Sequence, residues 1–208
     1  MIEIEHCVSK SILAPICICF GGFIFLTCTN TIIGAIAFAL ILLLLHSLKL
    51  NCFTDKCGFL VDTQDMRRLV LVLCLNISVA FTFGLIIRLL SSSVANSADG
   101  ILIARMNTDI FLYIIKSVIA GFLMMYAVYT ESKQTSNHIL FLACAFIVVF
   151  TGCMHCIIEA FYYGASTLFY DNLGVLLLKL FIAVFFNFIG CNLYNLFVHK
   201  SFIHKGSI

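Results

Sequence analysis

Long apolar runs fill nearly the whole of this chain, broken only by short polar stretches. Residues 11–28, 31–61, 69–90, 109–128, 139–163 and 173–198 are each dominated by Leu, Ile, Val, Phe, Ala and Cys. About 20 such residues cross a bilayer as one helix. In lipid only helices and closed barrels satisfy their own backbone hydrogen bonds. Charged residues make up 11% of the chain against 62% hydrophobic. A soluble domain carries about 25% charged residues, so that class is excluded. The pattern predicts an all-α membrane protein with a single transmembrane domain over residues 1–208. The net charge of +2 comes with no basic patch interleaved with aromatics, so the expected partner is the lipid bilayer and not nucleic acid. The 11 cysteines lie mostly inside apolar runs, where Cys acts as a small packing residue and not as part of a disulfide framework. The start carries Glu3 and Glu5 rather than a basic cluster, so the first span is expected to be retained.

Two runs have the wrong length. Residues 31–61 are too long for one straight crossing and too short for two, and their middle, Leu48-Lys49-Leu50-Asn51-Cys52-Phe53-Thr54-Asp55-Lys56-Cys57-Gly58, is polar. Residues 139–163 are interrupted at Gly152-Cys153-Met154-His155. Irregular backbone at membrane depth survives only against protein or a cavity, so both read as helices broken inside the membrane. That gives six transmembrane helices with the second and fifth interrupted. The stretches 62–68, 91–107, 131–137 and 164–172 read as loops. Lys10, Arg67, Arg68, Lys133, Lys200 and Lys205 fall on one face and Arg88 and Arg105 on the other. The positive-inside rule then puts both termini in the cytoplasm of a multi-pass cell-membrane protein. Each half, about 11–90 and about 107–198, holds a plain span, an interrupted span and a span with an asparagine, Asn76 or Asn187. Three crossings per half make the second an inverted copy of the first, an arrangement that places transport sites at midplane.

The chemistry concentrates at Gly152-Cys-Met-His155-Cys-Ile-Ile-Glu159. An ionisable group at membrane depth marks a pathway or a site. Imidazole exchanges a proton near neutral pH, and the N-termini of two half-helices starting near Thr54 and Cys156 would favour an anion. Glu159, one turn beyond His155, is expected on the same helix face, positioned to hold an imidazolium. Asn76 and Asn187 are expected to hydrogen-bond the broken backbones. Lys116 and Lys179, inside spans, are expected to snorkel or pair at a subunit interface. Two other readings compete. Cys153, His155 and Cys156 resemble soft-metal ligands, although structural zinc takes four. Ser166 and His199 offer an intramembrane serine protease, although a Ser–His pair needs hydrogen-bond contact. A Walker A motif and an Asn-Pro-Ala motif are both missing from the chain, whose one proline is Pro15. The expectation is a non-enzyme without a cofactor.

The order of these features resembles the formate–nitrite transporter family over nearly the whole chain. Cys52-Phe53-Thr54 matches the Leu-Phe-Thr loop of the family's interrupted second helix. Met154-His155-Cys156-Ile157-Ile158-Glu159 matches Glu-His-Ser-Ile-Ala-Asn in its fifth, and Asn76 and Asn187 match its Gly-Asn pairs without the glycine. The resemblance implies an aquaporin-like fold, a homopentamer with one pore per protomer, and formate, nitrite or hydrosulfide as the substrate class. On that reading a small monovalent anion meets His155 and a proton, and passes apolar constrictions at Phe53 and Val148. Cys52, Thr54, Glu159 and Arg105 also fall on the path, Arg105 where the family has its vestibule lysine, and Gly152, Asn76 and Asn187 are structural beside it. Two departures stand out: Glu159 replaces the family's asparagine, and Arg105 replaces its lysine.

Overall fold

The computed structural model describes residues 2–58, 63–132 and 138–203, and the regular structure among them is helical. In chain order the helices are α1 (Ile2–Thr27), α2 (Thr31–Ser47), α3 (Phe53–Lys56), α4 (Thr63–Leu90), α5 (Ser92–Asn107), α6 (Ile110–Ser132), α7 (His138–Phe150), α8 (Cys156–Ala165) and α9 (Leu173–Ile203), with a single 3₁₀ turn at Tyr170–Asn172. Four are long and apolar enough to cross a membrane, over Cys7–Thr27, Asp65–Leu90, Ile110–Thr130 and Tyr170–Leu193. The α2 and α7 helices are apolar but shorter. Each stops short and is followed, after a few irregular residues, by a further short helix. The protein is therefore a multi-pass membrane protein. Lys133 and Lys205, two of the cations expected on the cytoplasmic face, lie outside the described residues, as do the side chains of His199 and Lys200.

Two polar stretches read as loops are helical instead, and a third begins later than expected. Residues 92–107 form α5. Ser91 caps it through its hydroxyl to the Val94 N–H at 3.4 Å, and Val94, Ala95, Ala98 and Leu102 are buried at helical spacing. The stripe is narrow and small, so the composition around Gly100 hid it. The charged stretch that ends at Arg68 is the first turns of α4 from Thr63 onward. The loop expected from Gly164 begins after Ala165, where α8 ends.

Among the described residues two helix pairs approach backbone to backbone through glycine. A Cβ on Gly84 of α4 would run into the Phe161 carbonyl of α8, and one on Gly164 would run into the Phe81 carbonyl of α4. Gly121 of α6 and Gly190 of α9 meet in the same way, against Asn187 and Val118. In lipid, small residues drive helix association by letting backbones approach. Between these pairs α8 is buried along its full length. A ten-residue helix with a carboxylate in it is thus enclosed by protein on all sides.

Candidate functional site

The two breaks meet at the centre of the molecule. The α7 helix ends in a turn where Gly152 takes φ +63°. The Gly152 N–H bonds to the Val149 carbonyl at 3.1 Å and the Cys153 N–H to the Val148 carbonyl at 2.9 Å. This is the Schellman ending, which calls for a left-handed residue just past the helix. The α2 helix ends in the same way. The Lys49 N–H bonds to the His46 carbonyl at 2.8 Å and the Leu50 N–H to the Leu45 carbonyl at 3.3 Å, with Lys49 at φ 51°.

One asparagine then clamps each break. Asn76 of α4 accepts the Phe53 N–H, the first of α3, at 2.9 Å. Its amide donates to the carbonyls of Ser11 at 2.7 Å and Asn51 at 3.2 Å. Asn187 of α9 accepts the Cys156 N–H, the first of α8, at 2.9 Å. Its amide donates to the carbonyls of Ser117 and Met154, both at 2.8 Å. Both asparagines are fully buried. An unpaired buried backbone group costs about 1–3 kcal/mol, so each side chain satisfies two groups that the interruption would leave orphaned, an N–H and a carbonyl, and ties them to a carbonyl of a continuous helix. Only part of this pattern was expected: the sequence pointed to the role but not to the matching partners.

The residue just before each half-helix is extended: Cys52 at φ −91°, ψ 141° and His155 at φ −99°, ψ 117°. His155 is 5% exposed. Its Nε2 lies 3.0 Å from the Thr54 Oγ1, which ties the two breaks together. The Thr54 Oγ1 also lies 3.4 Å from the Cys52 Sγ. The Thr54 carbonyl accepts from the thiols of Cys57 and Cys191 at 3.6 and 3.5 Å.

A cavity of about 170 Å³ opens beside His155. Its wall is apolar, with Phe25, Phe38, Leu42, Met124 and Val148, and is completed by Gly152 and Arg105. A second cavity, of about 210 Å³, lies at the other end of α1 among Cys7, Asn51, Lys56, Asp65 and Arg68. Of the residues expected on a path, His155, Val148 and Arg105 line the first cavity, as does Gly152, expected to be structural beside it. Phe53, Thr54, Cys52 and Glu159 do not. Phe53 is packed in the core at 3% exposure.

Glu159 does not face His155. Its two carboxylate oxygens accept from the Arg105 Nε at 2.9 and 3.2 Å, and the carboxylate is completely buried. The expected face-sharing fails because His155 is the extended residue before α8, where helical spacing does not apply. The Arg105 Nη1 donates to the Gly152 carbonyl at 3.1 Å, so the guanidinium holds the α7 turn and the α8 carboxylate together. Lys179 is not at the lipid edge. It is 5% exposed and donates to the carbonyls of Arg105, Met106 and Thr108 at 2.5, 3.3 and 2.8 Å. Lys116 donates to the Thr151 carbonyl at 3.2 Å. Each ammonium thus sits at a helix C-terminus, of α5 and α7, where the dipole favours it. A lysine within an apolar run was the available signal, but its partner on another helix was not legible.

The competing readings fare differently. Among the described residues no three His, Cys, Asp or Glu side chains come together as a metal site. The Ser166 hydroxyl donates to the Asp99 Oδ1 at 2.5 Å and accepts the Leu168 N–H at 3.0 Å, so it is committed to a loop anchor.

The chain is similar to a solved structure described as a pentameric formate channel with formate bound. The TM-score is 0.75 at 16% identity, over 95% of this chain and 94% of that one. No family model matches the chain, and no curated protein matches it. The likeness establishes the fold: an all-helical membrane protein built as that channel is built.

Proposed function

We propose that the protein is a formate–nitrite-type channel, conducting small monovalent anions of weak acids such as formate, nitrite or hydrosulfide, with His155 as the group that exchanges a proton with the permeant species. The observation that carries this reading is the Thr54–His155 hydrogen bond, made where the two broken helices converge. It holds a titratable ring at the floor of an apolar cavity. Proton exchange there turns an ion into a neutral acid that an apolar wall admits, since an unpaired charge in such surroundings costs several kcal/mol.

The same reading makes α2–α3 and α7–α8 two broken crossings, six in all. The two asparagine clamps support an inverted repeat, because Asn76 and Asn187 bind the same positions of α3 and α8 and each reaches one serine carbonyl, Ser11 or Ser117. The formate channel's pentameric assembly supports a homopentamer here. Basic residues at the second cavity, Lys56 and Arg68, support a cytoplasmic placement of that end, and with it of both termini. In this scheme Val148 forms the constriction beside His155, and Phe53, buried at the first break, forms the other.

The test is uptake of formate, nitrite and hydrosulfide into proteoliposomes, one at a time, across a pH series. Uptake above protein-free vesicles that His155→Ala abolishes is the expected result. Equal transport by parent and variant would defeat the reading.

A further inference from the structure

The cavity beside His155 has a cation on its wall, but the charge is already spent. Arg105 is the one formally charged side chain among the described residues that line it. Glu159 meets the Arg105 Nε with both oxygens from behind that wall, with no solvent exposure of its own. Other charged or titratable groups face this pair from each packed helix. The Lys179 ammonium of α9 is held by three carbonyls at the C-terminus of α5. Tyr113 of α6 lies under that ammonium at 4.9 Å, Asp109 acts on the same ammonium, and Tyr162 and Tyr163 of α8 lie near the guanidinium. Lys179 does not line the cavity, and the negative end of α5 offsets it.

A lone guanidinium in a low-dielectric wall attracts an anion over many ångströms. One matched by a carboxylate at 2.9 Å presents a dipole, whose pull fades much faster with distance. The rest of the wall, Phe25, Phe38, Leu42 and Met124 among it, offers an anion nothing in place of its lost hydration.

We infer that Glu159 is a specificity-determining residue that cancels the Arg105 charge, so that the mouth beside α5 admits the undissociated weak acid and not its anion. This rests on the channel reading and refines it, by naming which protonation form crosses that mouth.

Nitrate is the probe: planar, monovalent, and too weak a base to be protonated at the pH values used. The α9 helix runs away from the α5 mouth, so proteoliposomes with a lumenal C-terminal tag present that mouth outward. In those vesicles formate entry through the parent protein should track the concentration of undissociated formic acid, and a large external excess of nitrate should leave the rate unchanged. Glu159→Gln should free the guanidinium. Nitrate should then compete, and formate entry at neutral pH should rise on the order of tenfold. Nitrate competition in the parent would overturn the inference while leaving the channel standing. So would a folded Glu159→Gln protein that nitrate still fails to slow. A Glu159→Gln protein that does not fold leaves the parent measurement to decide. No flux of formate, nitrite or hydrosulfide above protein-free vesicles would instead remove the channel reading, and this inference with it.

Discussion

The two breaks share a scaffold and differ in their chemistry. In both, an apolar helix ends in a left-handed residue, Lys49 or Gly152. An extended residue then leads into a new helix whose first N–H is taken by a buried asparagine. At the first break the extended residue is Cys52, the new helix is four residues long, and its buried Asp55 has His46 at 4.0 Å. At the second the extended residue is His155, the new helix has ten residues, and its buried Glu159 has Arg105 at 2.9 Å. Backbone satisfaction therefore dictates the common part, because any interrupted helix in lipid must pair its orphaned groups. Among the described residues, only the second break sets an imidazole ring against one of the two cavities.

The sharpest way to break this contrast is to remove each leading side chain. His155→Ala should lower weak-acid flux by about 10²-fold or more, the scale of a lost acid–base group. Cys52→Ala should leave most of the flux, since its thiol touches Thr54 at 3.4 Å and lines neither cavity. Comparable losses from the two would mean that the first break shares the chemistry. The clamps should behave oppositely, as equals. Asn76→Leu and Asn187→Leu each strand the N–H and the carbonyl that flank a break, at about 1–3 kcal/mol apiece. Both should destabilise the detergent-solubilised protein by several kcal/mol, read as a lowered midpoint of thermal unfolding. A large effect from one alone would show that the two breaks are not built to one plan.

What the sequence disclosed follows the same division. The two helix breaks were legible because a bilayer can hardly accommodate a run of the wrong length with a polar middle in any other way. His155, Asn76 and Asn187 stood out because polar groups are rare among such neighbours. The α5 helix was hidden, because a stripe made of Val94, Ala95, Ala98 and Leu102 is too small to register against its serines and asparagines. The Glu159–Arg105 pair was hidden for another reason. The two residues come from different helices, and local spacing tied Glu159 to His155 instead. Long-range pairings such as Lys179 with the end of α5 depend on packing that no periodicity encodes.

The left-handed residues offer a smaller and more selective comparison. A side chain in that conformation costs about 1–2 kcal/mol, and the first break carries it at Lys49 while the second avoids it with Gly152. Lys49→Gly should therefore stabilise the protein by up to about 1 kcal/mol, the gain being trimmed by the greater freedom of glycine in the unfolded chain. Gly152→Ala should destabilise by a similar amount. A Cβ there would meet the Arg105 guanidinium only at 3.5 Å, so backbone conformation and not crowding sets the effect. Opposite shifts in unfolding midpoint are the expected result. Shifts of the same sign would mean that one of the two turns is not left-handed.

The far ends of the new helices differ in what anchors them, and pH separates the two. The turn after α3 is held by the Asn192 amide on the Cys57 carbonyl at 3.3 Å, a bond that does not titrate. The end of α8 is held by Arg88 on the Ser166 carbonyl at 3.0 Å and by Asp99 of α5, which lies outside the four long spans. Asp99 accepts from Ser166, from the Thr167 N–H at 2.8 Å and from the Thr167 hydroxyl at 2.7 Å. Burial acts to raise the Asp99 pKa, but these hydrogen bonds to the carboxylate outweigh it and hold the group below its ordinary value. A carboxyl with a depressed folded pKa contributes stability that is complete above the unfolded value near ~3.9 and is lost as pH falls through the folded one. Acidification should thus loosen the α8 end before the α3 end. Asp99→Asn should flatten the difference in unfolding midpoint between about pH 5 and pH 3, whereas Asn192→Ala should lower the midpoint equally at both. A parent protein and an Asp99→Asn variant with the same acid limb would show that the α8 anchor is not the titrating one.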